Sequence, residues 1–82
     1  MQEAIVEHYR ARNAANGDTL TDSVVRRQTE VRRDLASAWV TLRETRHAPG
    51  SAPHDTSATE HLLLRRTPEG WVVLAATRVN GP

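Results

Sequence analysis

The chain contains no cysteine, no phenylalanine and no lysine, and these absences exclude several classes of protein. Without cysteine it forms neither a disulfide framework nor a thiolate metal site. Aromatic residues make up only 4 % of the chain, namely Tyr9, Trp39 and Trp71. The apolar core of an 82-residue chain is therefore thin, and a domain this small often needs a partner for stability. We expect a single domain over residues 1–82 that forms a homodimer.

Neither sign of charge dominates, because 11 basic residues, all arginine, face 10 acidic ones. This balance creates no field that would attract nucleic acid or an anionic membrane. The longest apolar run, Trp71 to Ala76, is far too short to cross a bilayer. The opening residues, MQEAIVEHYR, lack the basic-then-apolar pattern of a secretory signal. We expect no nucleic-acid or membrane partner and a cytoplasmic location.

The N-terminal residues from 2 to 16 predict an amphipathic helix. Good helix formers predominate, Glu3 lies in the first turn where the helix dipole favours an acid, and Gly17 follows the last turn. Ile5 and Tyr9 belong to a narrow apolar stripe, which we expect to pack on one face of a sheet.

The segment from Leu20 to Thr45 fits two interpretations. Helical spacing is kept by six apolar residues, Leu20, Val24, Val31, Leu35, Ala38 and Leu42. The density of valine and threonine instead favours two strands with a turn or bulge near residues 33–36. In the strand interpretation, which we prefer, Val25, Thr29 and Val31 share one face, and Ala38, Val40 and Leu42 share another. The helical alternative would give two helices and a β-hairpin, as in a winged DNA-binding domain.

The segment from Thr59 to Val79 predicts a β-hairpin, because two apolar runs flank a polar turn that contains Pro68 and Gly70. Both runs carry apolar side chains on both faces, so something must cover each face. The residues from Ala48 to Ser57 are small, polar or proline and predict a loop. The predicted fold class is α+β, with one helix followed by about four antiparallel strands.

Three segments resemble a known family. HYRARNAANGD is similar to the first helix of the nuclear transport factor 2-like superfamily, which includes SnoaL-like polyketide cyclases and ketosteroid isomerases. VRRDLASAWVTLRET and TEHLLLRRTPEGWVVLAATRV are similar to its last three strands. The resemblance implies a cystatin-like fold, an N-terminal helix packed on a curved antiparallel sheet. The family's middle helices have no room between Asp18 and Val31, so the chain would be a shortened form.

The resemblance also implies a function, that of a small-ligand-binding protein or an isomerase- or cyclase-like enzyme acting on an apolar small molecule without a cofactor. Tyr9 would then donate a hydrogen bond to a carbonyl or enolate; the alternative is that Tyr9 is only a core contact. Strand alternation places either Glu60 or His61 on the concave side, and His61 there would be a candidate base. The candidate ligand-binding residues are His8, Trp39, Leu63 and Trp71.

Two other patterns receive simpler interpretations. His47, His54 and His61 recur every seven residues, which is not a zinc signature, and we expect no metal. Three arginine pairs, Arg26-Arg27, Arg32-Arg33 and Arg65-Arg66, are typical of solvated strand positions. The alternative function is a non-enzymatic dimerisation module that associates through four apolar residues, Trp39, Leu63, Val72 and Leu74.

Overall fold

The computed structural model describes residues 1–79, which form one N-terminal helix and one four-stranded antiparallel sheet. The elements in chain order are α1 (Gln2–Ala15), β1 (Leu20–Arg32), β2 (Leu35–Arg46), β3 (His54–Thr67) and β4 (Gly70–Arg78). Each strand pairs with the next one along the chain, and the sheet is not closed. The predicted α+β class, with one helix before four antiparallel strands, is confirmed.

Helix α1 has the ends that its sequence predicts. Its first backbone hydrogen bond runs from the Ile5 nitrogen to the Met1 carbonyl oxygen, at 3.2 Å. The chain leaves the helix through Gly17, whose φ of +60° is a conformation that glycine adopts without a steric penalty. Ile5 and Tyr9 are the buried residues of α1, so the predicted stripe does face the sheet. With 14 residues and many charges, α1 is not a membrane-spanning helix, and it is the one helix among residues 1–79.

The ambiguous segment forms two strands, joined by a turn at Arg33 and Asp34. Of the six residues at helical spacing, only Ala38 and Leu42 are buried, so that spacing does not reflect a buried face. Ala38, Val40 and Leu42 do share a buried face, as predicted. Val25 does not share a regular face with Thr29 and Val31, because the pairing of β1 with β2 shifts there and forms a β-bulge.

The predicted hairpin is formed by β3 and β4, with Pro68 and Glu69 in the turn. The loop before it is shorter than predicted, since β3 already begins at His54. Residues 54–57 pair with the end of β2, where the Thr45 hydroxyl donates to the Asp55 carboxylate at 2.8 Å. A second register shift in the β3–β4 pairing leaves Leu74 without a partner on β3.

The sheet has two unlike faces, the helix face and the outer face. The backbone of α1 lies within 8 Å (Cα to Cα) of the edge strands β1 and β4 but not of β2 and β3. The sheet is therefore concave toward the helix. Side chains of α1 and of the central strands fill the concavity: Ile5, Tyr9, Ala36, Ala38, Val40, Leu42, Ala58, Leu62 and Leu64. The outer face carries Leu35, Trp39, His61, Leu63 and Val72, which nothing in residues 1–79 covers.

Candidate functional site

A cluster of ionisable side chains lies between α1 and one end of the helix face. We call it the carboxyl–arginine cluster, and its members are Tyr9, Arg12, Asp22, Glu44, Glu60 and Arg78. Glu60 is its centre, with a side chain only 3 % exposed. Its carboxylate accepts hydrogen bonds from the Tyr9 hydroxyl at 3.0 Å, from Arg12 at 3.1 Å and from Arg78 at 3.0 Å. All four strands and the helix thus meet at one polar site.

The two arginines extend the cluster to the remaining carboxyl groups. Arg12 donates from Nη2 to Asp22 Oδ2 at 2.9 Å, and the Asp22 side chain is only 2 % exposed. Arg78 grips Glu44 with two hydrogen bonds, of 2.6 and 3.1 Å. Such two-pronged arginine contacts are stronger and more directional than single ones.

Two β-bulges put Asp22 and Arg78 on the helix face. On the side of the first bulge toward the β1–β2 turn, Arg26 pairs with Thr41. The same register continued along β1 would place Asp22 on the outer face, opposite Thr45. The shift at the first bulge turns Asp22 to the helix face, opposite Glu44.

The second bulge acts in the same way on β4. Between the β3–β4 turn and the bulge, Val73 pairs with Leu64. If that register continued along β4, Glu60 would lie opposite Thr77. The extra residue, Leu74, brings Arg78 opposite Glu60 instead. Each edge strand therefore changes faces once, and both changes supply a charged group to the cluster.

Asn13 fixes the start of β1 beneath the helix. Its side-chain amide donates to the Asp22 carbonyl oxygen at 3.0 Å and accepts from the Asp22 backbone nitrogen at 2.8 Å. These paired bonds are the ones a neighbouring strand would make. The position of the Asp22 carboxyl relative to Arg12 is thereby set by the backbone.

Burial and hydrogen bonding compete in setting the pKa values of the cluster. Burial opposes the ionisation of Glu60, but hydrogen bonds from Arg12, Arg78 and Tyr9 outweigh it and lower the pKa of Glu60. Burial, then the charge of Glu60, raises the pKa of Tyr9. Tyr9 therefore keeps its proton and acts as a donor to Glu60. Because the Tyr9 hydroxyl already donates its hydrogen bond to Glu60, a ligand carbonyl would have to displace the Glu60 carboxylate as the acceptor.

An open cleft lies beside the cluster, between α1 and β1, with a volume of about 480 Å³. Its wall is partly apolar, from Val6, Ala14 and Val24, and Tyr9 and Asp22 also line it. The volume is within the range of small-molecule sites, roughly 300–1,000 Å³. The cleft is thus large enough for a small ligand, although it is not an enclosed cavity.

The outer face is apolar at its centre. The rings of Trp39 and His61 lie opposite each other on β2 and β3, with their centroids 4.6 Å apart. Trp39 is 48 % exposed, and Val72 is 42 % exposed. Leu63 is half-buried and lies on the same face, two residues after His61 on β3 and so nearer the β3–β4 turn. Among residues 1–79, this face has no covering element.

The structure does not bring the predicted site residues into one pocket. Tyr9 lies on the helix face, whereas His61 is on the outer face with Trp39 and Leu63. The reason is strand alternation, which gives the helix face to Glu60 and not to its neighbour. The expected pairing of Tyr9 with a base at His61 is therefore not formed within the chain.

The two remaining candidates are both on the helix side. His8 is half-buried on α1, its Nε2 atom has no partner among residues 1–79, and burial, then the charge of Arg12, lowers its pKa. Trp71 packs against the core from β4, with the guanidinium of Arg66 above its ring, 5.5 Å from the centroid. Neither lines the cleft between α1 and β1.

Sequence reasoning missed Arg12, Asp22, Glu44 and Arg78 as site residues. One local signal was present, because Arg12 follows Tyr9 by three residues and so lies on the same side of α1. Glu44 follows Ala38, Val40 and Leu42 by strand alternation along β2. Asp22 and Arg78 depend on the bulges, which the sequence pattern does not locate. No group of three histidine, aspartate or glutamate side chains within residues 1–79 is arranged to hold a metal ion.

Comparisons with known proteins leave the function to be argued from this geometry. No protein-family model, curated protein or solved structure matches the chain.

Proposed function

We propose that the chain is a homodimerisation module whose outer face packs on the same face of a second copy. The observation that carries this proposal is Trp39, 48 % exposed at the centre of an apolar face that includes Leu63 and Val72. Contiguous exposed apolar surface on a small domain usually marks an association site. Tryptophan is also the residue type most enriched among those that dominate binding energy.

The size and charge of the outer face suit a second copy as the occupant. The molecule measures 48 × 28 × 16 Å, so its broad face offers more than the roughly 800 Å² that each partner buries in a standard interface. The outer face also carries both signs of charge, with Glu30 and Arg32 on the edge strand β1 and Arg65 between Leu35 and Val72. A surface with both signs can pair with itself about a two-fold axis.

The test is sedimentation velocity on the wild type and on Trp39→Glu at micromolar concentration. We expect a wild-type dimer and a folded Trp39→Glu monomer, because two buried carboxylates in a symmetric interface would lack partners. Circular dichroism checks that the variant keeps the wild-type spectrum.

The matched control is Val31→Glu. Val31 lies on β1, is 50 % exposed and faces the helix side, so the same charge is introduced at similar exposure on the opposite face. This variant should remain a dimer. A monomeric wild type, or dimers of equal strength in both variants, would contradict the proposal.

A second candidate function, binding of an apolar small molecule, is favoured by the cleft between α1 and β1. It would be the shortened nuclear transport factor 2-like protein that the resemblance implies, of the isomerase or cyclase type. The support is the cleft volume of about 480 Å³ and its apolar wall. A general base beside Tyr9 is not supplied by His61, so ligand binding has more support than catalysis.

Amide NMR shifts on addition of 1-naphthol, a neutral apolar probe, test this candidate. Saturable shifts that cluster at Val6, Ala14 and Val24 are expected if the cleft takes an apolar ligand. Val6→Glu should abolish them. Shifts confined to Trp39 and its neighbours on the outer face, or no shifts, would contradict ligand binding in the cleft.

A further inference from the structure

The carboxyl–arginine cluster contains one acid more than it has bases. Three carboxyl groups, those of Asp22, Glu44 and Glu60, meet only two guanidinium groups, those of Arg12 and Arg78. The side chains of the three acids are 2, 12 and 3 % exposed. A buried charge without a partner is costly, and such groups usually take or lose a proton instead. One bound proton would make the cluster neutral.

The hydrogen bonds show which carboxyl group has room for that proton. Glu60 already accepts from Tyr9 and both arginines, and Glu44 accepts twice from Arg78. Asp22 accepts from Arg12 through Oδ2, whereas its Oδ1 is buried and has no partner among residues 1–79. An orphaned buried oxygen of this kind calls for an explanation.

The neighbour of Asp22 provides the explanation, because the first bulge sets its carboxyl directly across the strand pair from that of Glu44. Two ionised carboxylates have no hydrogen to share, but a protonated one donates to an ionised one. We propose that Asp22 and Glu44 form a proton-binding site. In this site the protonated carboxyl group of Asp22 donates a hydrogen bond to the carboxylate of Glu44 and so joins β1 to β2 beneath α1.

The titration behaviour of the two residues supports this assignment. Burial, then the neighbouring carboxyl group of Glu44, raises the pKa of Asp22. Hydrogen bonds from Arg78, together with the neighbouring carboxyl group of Asp22, lower the pKa of Glu44 to about 2. Neighbouring acids whose pKa values are driven apart are the pattern of a shared proton.

Charged and titratable groups from the helix and from the other strands surround Asp22 and Glu44. Helix α1 contributes Arg12, Tyr9 and His8, β3 contributes Glu60 and β4 contributes Arg78. Arg10 and Asp18 also line the adjoining cleft. The arginines keep their charge, and Tyr9 keeps its proton because its pKa is raised. Burial, then the charge of Arg12, lowers the pKa of His8. Of the three carboxyl groups in the cluster, Asp22 is thus the one whose pKa is raised, whereas the pKa values of Glu44 and Glu60 are lowered.

The site makes stability depend on pH in a specific direction. The pKa of Asp22 is higher in the folded chain than in the unfolded one. As the pH rises, the unfolded chain releases the Asp22 proton at the ordinary aspartate pKa of about 3.9, whereas the folded chain still holds it. The contribution of the proton site is complete below that pH and is lost as the pH rises through the folded pKa of Asp22. Deprotonation sets two carboxylates against each other and loosens the contact of β1 with α1.

The direct test is a side-chain carboxyl ¹³C NMR titration of the wild-type chain. We expect Asp22 to titrate above the ordinary aspartate range and Glu44 well below the ordinary glutamate range. A signal from Asp22 that titrates at or below about pH 3.9 would overturn the proposal. This measurement does not depend on the folding of any variant.

A second test measures the pH dependence of the free energy of unfolding in Asp22→Asn. The amide of this variant donates permanently to Glu44, so the variant should lack the fall in stability with rising pH, a slope of up to about one proton. Asp34→Asn, at the exposed β1–β2 turn, is the matched control and should keep the wild-type slope. An Asp22→Asn slope equal to that of the wild type would also overturn the proposal.

Discussion

On β3, Glu60, Leu62 and Leu64 point toward α1 and are almost fully buried, whereas the intervening His61 and Leu63 face outward and stay accessible. The two faces therefore share every backbone hydrogen bond and differ only in what their side chains meet. The helix face combines an apolar core with a paired polar cluster, and the outer face presents an apolar centre on which no part of residues 1–79 packs. The comparison separates residues that hold the fold from residues that are free to bind.

The largest expected effect comes from breaking the helix face at its polar centre with Glu60→Ala. The change leaves Arg12, Arg78 and the Tyr9 hydroxyl without their shared acceptor. Removing one partner of a buried charge pair costs about 3–5 kcal/mol. In a domain this small we expect Glu60→Ala either to lower the urea midpoint of unfolding strongly or to leave no folded state. Urea unfolding monitored by circular dichroism measures this effect.

The control for this prediction is Glu69→Ala, the same substitution in the exposed β3–β4 turn. Surface substitutions of this kind usually change stability by less than about 0.5 kcal/mol. Equal losses in the two variants would mean that the carboxyl–arginine cluster does not stabilise the helix face.

The contrast between the faces also shows what the sequence could predict. Helix α1 and the β3–β4 hairpin have local signals, namely Glu3 in the first turn of the helix, Gly17 after its last turn, a turn with Pro68 and Gly70, and short apolar runs. The strands of β1 and β2 were identified from their valine and threonine content, although an apolar helical spacing competed with it. These properties depend on neighbours in the chain, and they were predicted correctly.

The site was less predictable because it depends on register. Alternation along β3 shows that Glu60 and His61 face opposite ways, but only the position of α1 decides which one is buried. Asp22 and Arg78 reach the helix face through one extra residue in each edge strand, at Val25 and Leu74. A shift of one residue exchanges the two faces of a strand, and neither bulge has a glycine or other clear sequence signal.

A smaller effect separates the faces at neighbouring residues. Leu62 is fully buried in the core, and Leu62→Ala should lower the free energy of unfolding by about 2–5 kcal/mol, as buried leucine truncations do. Leu63→Ala, one residue along and on the outer face, should cost the monomer less than about 1 kcal/mol because the side chain is already partly in water. Urea unfolding at low protein concentration measures both.

The same pair then links the stability of the fold to association. If the outer face forms the dimer interface, Leu63→Ala should weaken the dimer in sedimentation experiments while leaving the unfolding of the monomer almost unchanged. Leu62→Ala should lower the stability of the monomer but leave the strength of the dimer unchanged under conditions where the variant remains folded. The reason is that the Leu62 side chain does not reach the outer face. Equal effects of the two variants on both measurements would show that the faces are not independent, and that burial of the helix face depends on pairing of the outer one.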